Sequence, residues 1–170
     1  ANADGVRVAT IEHLMAALVA LGVSNAEVTL DGEEVPIMDG SALPFVQLLD
    51  RAGFRRQQTS QRYIEVLEPI EVTEGDKTAR LVPCDRYEMR FEIDFDNAVI
   101  GNQVVDFVVD EATFRNEIMA ARTSGFAHEV EALRQMGLAR GGSLENAVVI
   151  DGDHILNDGG LRMEREFVRH

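Results

Sequence analysis

The chain has 170 residues, 45% of them hydrophobic and 27% charged, and its 30 acidic against 16 basic side chains leave a formal net charge of -14. That length and apolar content suffice for one domain with a real core or for two small ones and exclude a disordered chain, while the acidic balance argues against a nucleic-acid binder, which needs a basic face for phosphates. The single cysteine, Cys84, excludes an intrachain disulfide, no apolar run reaches the roughly 18 residues of a membrane span, and the lack of a secretory n-region and h-region makes a reducing, cytoplasmic setting the expectation.

The first predicted element is a helix in "ATIEHLMAALVALG". Ile11, Leu14, Met15, Leu18 and Leu21 recur at helical spacing, and Ala16, Ala17 and Ala20 keep the other side small. Thr10 is the expected N-cap and Gly22 the expected stop. A helix this apolar should lie between layers, yet it opens with Glu12 and His13 side by side. "AEVTLDG" reads as a strand, and "SALPFVQLLDRAG" as a second helix with Ser41 near its cap and Gly53 at its end. The polar connector "FRRQQTSQR" is the candidate boundary between residues 1–55 and 56–170.

Beyond it the pattern changes to strands. "RYIEVLEPIEVTEGDKTARLVP" reads as successive strands with a turn at Glu74, Gly75 and Asp76. In "YEMRFEIDF", Tyr87, Met89, Phe91, Ile93 and Phe95 alternate with charged residues, the period of a sheet with one wet face. "QVVDFVVD" adds a strand, "EATFRNEIMAAR" and "HEVEALRQMG" read as helices, and "AVVID" and "HILND" as short strands. Consecutive strands favour antiparallel pairs, and the class is α+β. Cys84 is expected to be small and at least half-buried. His128 and His154 read as surface groups.

At Glu12 and His13 the residues alone leave two readings open. A carboxylate in the first turn of a helix is favoured by the helix dipole and needs no further role. The same pair could be a metal ligand beside a general base. Alanine at positions 16 and 17 rules out the HExxH zinc-protease pattern.

"TIEHLMAALVALG", "VPIMDGSALPFVQLLDRAG", "ARTSGF", "GLARGGSLENAVVID" and "LNDGGLRMEREFVRH", in this order, resemble the zinc-dependent UDP-3-O-acyl-N-acetylglucosamine deacetylase family of lipid A biosynthesis. The resemblance runs from about Val6 to His170. It implies an α+β sandwich of two related domains, with only part of the first and most of the second present, and a βαβ insert at about 121–151. It implies Zn2+ as cofactor, His13 and His170 as ligands, Glu12 as general base and Thr123 as a hydroxyl that helps hold the oxyanion. The implied reaction is hydrolysis of the N-acetyl group of UDP-3-O-acyl-N-acetylglucosamine, with transient contact to the inner membrane surface through the acyl substrate. A binding or scaffold protein that keeps the fold, and another metal-dependent amidohydrolase, are the rival readings.

The resemblance also implies substrate contacts. Phe95 and Phe126 would face the nucleotide, with Lys77 as a basic group near it. Val130, Leu138, Ala139, Leu144 and Ala147, together with Leu133, would line an acyl passage. Ordinary core packing, or solvation for Lys77, is the plainer reading of each. Relatives have an aromatic residue where this chain has Ser124. Lys77, Arg80, Arg140 and Arg162 are the positive groups that could offset an anionic ligand. "GGS" at positions 141–143 reads as a turn more readily than as a phosphate cradle. The family's third zinc ligand, an aspartate four residues after the second histidine, and its later general-acid histidine have no counterpart here. The sequence therefore reads as an internal fragment, expected to be inactive by itself.

Overall fold

The computed structural model describes residues 3–135 and 141–170. Its architecture is α+β, five helical segments with seven strands among the described residues. Helix α1 spans Glu12–Ala20 and buries His13, Ala17 and Leu18. It ends in a Schellman motif: Gly22 N–H bonds to the Val19 carbonyl and Val23 N–H to that of Leu18, with Gly22 at φ +68°. Its start differs from the sequence expectation. The N-cap is Ile11 and makes no side-chain bond, because Thr10 stands at φ +55°, away from the extended backbone from which a capping hydroxyl reaches the first amides.

Helix α2, Leu43–Ala52, carries Pro44 in its first turn and stops at Gly53, whose φ is +75°. Asp39 Oδ1 accepts from both the amide and the hydroxyl of Ser41, and Ser41 Oγ accepts from the Leu43 amide, so the turn before α2 is tied down by short-range bonds. The first core gathers Ala17, Val35, Ala42, Phe45 and Val46, and it also draws in Phe114 from the later part of the chain. One expectation fails here. Helix α1 is covered on one side only: it packs on α2, while Met15 and Val19, with Ile11 at its N-cap, are exposed. A second also fails: residues 26–32 form no strand. A strand persists only beside a partner, and the nearest pairing is the single bridge Ala9–Glu34.

Strands β1 (Ile70–Glu74) and β2 (Lys77–Leu81) form an antiparallel hairpin that turns at Gly75. Strands β3 (Glu88–Asp94) and β4 (Asn102–Val108) pair antiparallel with Phe91 opposite Val105. The alternating stripe of β3 is real, but Tyr87, Met89, Phe91 and Phe95 remain exposed and only Ile93 is half-buried. Cys84, expected to be at least half-buried, is exposed. It lies in the irregular link between β2 and β3, on which no layer packs.

Helix α3 (Glu111–Thr113) is capped by Asp110, which accepts from the Thr113 amide at 2.7 Å. It widens into a π-turn over Phe114–Ile118, closed by Met119 N–H on the Phe114 carbonyl. Strand β5 (Ser124–Phe126), helix α4 (Ala127–Gln135) and strand β6 (Val148–Asp151) make a parallel β-α-β crossover, and β7 (His154–Ile155) returns antiparallel to β6. Ile100, Val148, Ile150 and Phe167 form the second core. The short helix α5 (Glu166–Arg169) leads into His170. It is held on β4 by Arg165 Nη1 to the Val104 carbonyl and by the Arg169 guanidinium 5.3 Å over the Phe107 ring.

Candidate functional site

Helices α1 and α5 bring two imidazoles together from opposite ends of the chain. His13 Nε2 lies 2.8 Å from His170 Nε2, across 157 positions of sequence, with the ring planes at 67°. His13 is only 4% exposed because it lies on the inward face of α1. Its buried face runs from His13 to Ala17 and Leu18, one turn on. Burial pushes the His13 pKa below its usual value, against the pull of the Glu12 and Asp39 carboxylates. Burial and then the neighbouring His13 lower that of His170, with Glu12 and Glu166 opposing. Both rings are therefore held toward the neutral form, the form that binds metals. The Glu12 carboxylate is exposed and acts electrostatically on both rings.

This pair fits part of a metal site. Two donors on one tetrahedral zinc, each about 2.0–2.1 Å away, stand about 3.3 Å apart, so the rings, now at the 2.8 Å of a direct hydrogen bond, need part by only about 0.5 Å to share an ion. The other nitrogen of His13, Nδ1, is buried without a hydrogen-bond partner, whereas metal-ligating histidines usually have theirs satisfied. Among the described residues no group of three or more His, Cys, Asp or Glu side chains is placed to hold an ion. His13 and His170 would thus supply two ligands of the three that catalytic zinc normally takes from protein.

Around the histidines runs a network of charged groups. Arg162 Nη1 donates to Asp39 Oδ2 at 2.8 Å, and also reaches Ser41 Oγ and the Ala120 carbonyl. Burial works to raise the Asp39 pKa, but hydrogen bonds from Ser41 and Arg162 more than offset it and hold the carboxyl below its usual value. Glu166, completely buried, pairs with Arg122 at 2.8 Å. Its pKa is also lowered, burial being outweighed by the bonds from Arg122 and Arg162. Thr123 follows Arg122 directly. Its amide donates to the Gly40 carbonyl at 2.8 Å and its carbonyl accepts from Val148. Sequence reasoning named Arg162 as a group for an anionic ligand, but its guanidinium is engaged by Asp39. It missed Asp39, Arg122 and Glu166 altogether.

The three non-glycine residues with positive φ among the described residues are Thr10, Met38 and Arg165. Each lies just ahead of one of these segments: Glu12 and His13, Asp39 and Gly40, Glu166 and His170. Such backbone persists where its surroundings over-determine it, and it clusters at functional sites.

The remaining predicted residues divide. Phe95 and Phe126 do meet, with ring centroids 6.3 Å apart, and His128 stacks on Phe126 at 5.6 Å. Val130 on α4 faces β5, so that a Cβ on Gly125 would meet its Cγ2 at 3.7 Å. Leu144 is exposed and Ala147 half-buried. Their carbonyls are both taken by Asn157 Nδ2, while Asn157 Oδ1 accepts from Val149. Lys77 lies at the start of β2, exposed and opposite Glu74. The Asn146 side chain reaches back to close the turn, Oδ1 accepting from the Ser143 amide and Nδ2 donating to the Gly141 carbonyl, as expected for a plain turn. Leu138, Ala139 and Arg140 lie outside the described residues, as does the side chain of Leu133. His154 is exposed beside Asp153. No described helix is long and apolar enough to cross a membrane.

Comparison with known proteins gives a consistent picture. A family model described as LpxC, UDP-3-O-acyl N-acetylglycosamine deacetylase, matches residues 1–170. Relatives named UDP-3-O-acyl-N-acetylglucosamine deacetylase include one from Phenylobacterium zucineum (strain HLK1), 66% identical over 99% of this chain and 58% of the relative. One from Myxococcus xanthus (strain DK1622) is 52% identical over 98% of this chain and 53% of its own length. Another, from Saccharophagus degradans (strain 2-40 / ATCC 43961 / DSM 17024), is 48% identical, with 98% and 56% covered. The chain spans a little over half the length of these relatives.

Proposed function

The chain belongs to the UDP-3-O-acyl N-acetylglycosamine deacetylase family, and from that premise we propose that it takes part in hydrolysing the N-acetyl group of UDP-3-O-acyl-N-acetylglucosamine to acetate and the free amine in lipid A biosynthesis. The observation that carries this reading is the 2.8 Å approach of His13 and His170 beside Glu12. His13 and His170 would hold a zinc ion as two of its ligands. When bound, that ion supplies Lewis acidity, lowering the pKa of water and polarising the amide. Glu12, on the exposed first turn of α1, takes the proton of the attacking water. The Thr123 hydroxyl donates to the oxygen on which negative charge develops. The carbon–nitrogen bond then breaks as the proton held by Glu12 passes to the departing nitrogen, releasing acetate and the free amine.

Phe95 and Phe126 form the aromatic side of the nucleotide subsite, with Lys77 available to its phosphates. Val130, Leu144 and Ala147 line the acyl passage, within a βαβ insert at about 121–151 of a domain covering 56–170; residues 1–55 belong to the preceding domain. The protein works in the cytoplasm and meets the inner membrane surface transiently, through its acyl substrate.

The test uses the full polypeptide that carries this sequence. With the UDP-sugar it should release acetate in step with bound zinc. Glu12→Gln should lower turnover about 10² to 10⁴-fold while zinc content holds, and His13→Ala should lose both. Full activity in Glu12→Gln, or no acetate from the zinc-loaded wild type, refutes the assignment.

A further inference from the structure

We infer that Glu166 is a positioning residue, a buried clasp that sets His170, Thr123 and the Asp39 turn relative to one another. The inference deepens the function proposed above and rests on its placing of His170 and Thr123 in the site.

A carboxylate with no solvent exposure is costly unless both oxygens are satisfied, and here both are used twice. Oε1 accepts from the Arg122 amide at 3.0 Å and from Arg122 Nε at 2.8 Å. Oε2 accepts from Arg122 Nη2 at 3.1 Å and from the Arg162 amide at 2.6 Å. Two of the four donors are main-chain N–H groups. A simple ion pair would not need them, and their effect is to fix the backbone of two separate segments.

Each fixed segment leads directly into the site. Arg122 precedes Thr123, whose amide is bound to Gly40 next to Asp39. Arg162 sends its guanidinium to Asp39, and the Asp39 charge acts on His13. The carbonyl of Glu166 itself accepts the His170 amide at 3.2 Å, one helical turn on. The segments around residues 122 and 162 and helix α5 therefore meet at one carboxylate that touches no reacting atom, and the segment around residue 39 joins them through the Arg162 side chain. Arg122 Nη2 also donates to the Gly160 carbonyl at 2.8 Å, which pins the loop before α5 to the same node.

Glu166→Gln keeps the shape but replaces one acceptor oxygen with a donor NH2 that must face an N–H group. In the full polypeptide, the variant should fold and unfold cooperatively yet bind zinc about 10 to 100-fold more weakly, the range for groups that orient metal ligands. Its kcat should fall with KM nearly unchanged, and the visible spectrum of its cobalt-substituted form should shift. Without any metal, the Arg122 and Arg162 amides should exchange hydrogen faster than in the wild type. Loss of thermal stability with zinc affinity, cobalt spectrum and kcat all retained would overturn the inference. Should Glu166→Gln not fold, Glu166→Asp keeps the charge on a shorter arm; it should show the same spectral shift, and an unchanged spectrum overturns the inference. A wild type that binds no zinc refutes the proposed function instead, and amide exchange at Arg122 and Arg162 then still decides whether Glu166 holds the two segments.

Discussion

Replacing Gly40 with alanine should damage the fold at the point where the two halves of the site touch. Gly40 has a φ of +81°, and a Cβ there would stand 2.0 Å from the Asn146 carbonyl oxygen, 2.8 Å from its carbon and 3.4 Å from Thr123 Cγ2. Left-handed backbone costs a non-glycine residue about 1–2 kcal/mol. Intrusion into packed surroundings adds about 1–3 kcal/mol, and here the obstacle is main chain that no side-chain rotation can move. The expected loss is therefore about 2–5 kcal/mol. Gly22 supplies the control: its φ is +68° with nothing within 4 Å of the added carbon, so Gly22→Ala carries the backbone cost alone. Urea unfolding followed by circular dichroism gives both values, and their difference isolates the collision with Asn146. If Gly40→Ala is no more destabilising than Gly22→Ala, the steric argument is wrong.

Acid should weaken the fold through Glu166 and Asp39. Both carboxyls sit below their ordinary values of 4.5 and 3.8, so the stability they contribute is present above those values and is lost as pH falls through the lower folded-state values. The urea midpoint should decline from about pH 4.5 downward, and less steeply in Glu166→Gln; equal slopes would count against the assignment. Phe95→Ala should raise KM for the UDP-sugar and leave zinc content alone. Because Phe95 is 44% exposed and its packing is mainly the pair with Phe126, its stability cost should stay at about 0.5–1.5 kcal/mol, and an unchanged KM would remove it from the nucleotide subsite.

Periodicity carried much of the architecture. The 3.6-residue pattern of α1 and α2 and the alternation of β3 are local properties, readable wherever the chain decides its own structure. The errors arose where a distant partner decides. Residues 26–32 have the composition of a strand but no ladder beside them. Cys84 has a buried residue's chemistry in a link that nothing covers. Thr10 has a capping side chain on a backbone turned the wrong way. In the site, the pairing of His13 with His170 came from resemblance, since no spacing rule joins residues 157 positions apart. The Asp39–Arg162 and Arg122–Glu166 pairs left one faint signal, a carboxylate directly before the apolar Phe167 and Val168. Their geometry is entirely tertiary.

The span between the two histidines also bears on the order in which the molecule can form. Closing a flexible loop costs about (3/2)RT ln n, so joining positions 157 apart takes about 2.4 kcal/mol more chain entropy than closing ten residues. Contacts of such long range slow folding, because their closure entropy is spent before they return any stability. The hairpins and the crossover can form from their own neighbourhoods, whereas the imidazole pair can exist only after both cores have met. An ion bridging those rings would then act as a latch on the finished chain, and its capture would report that folding is complete.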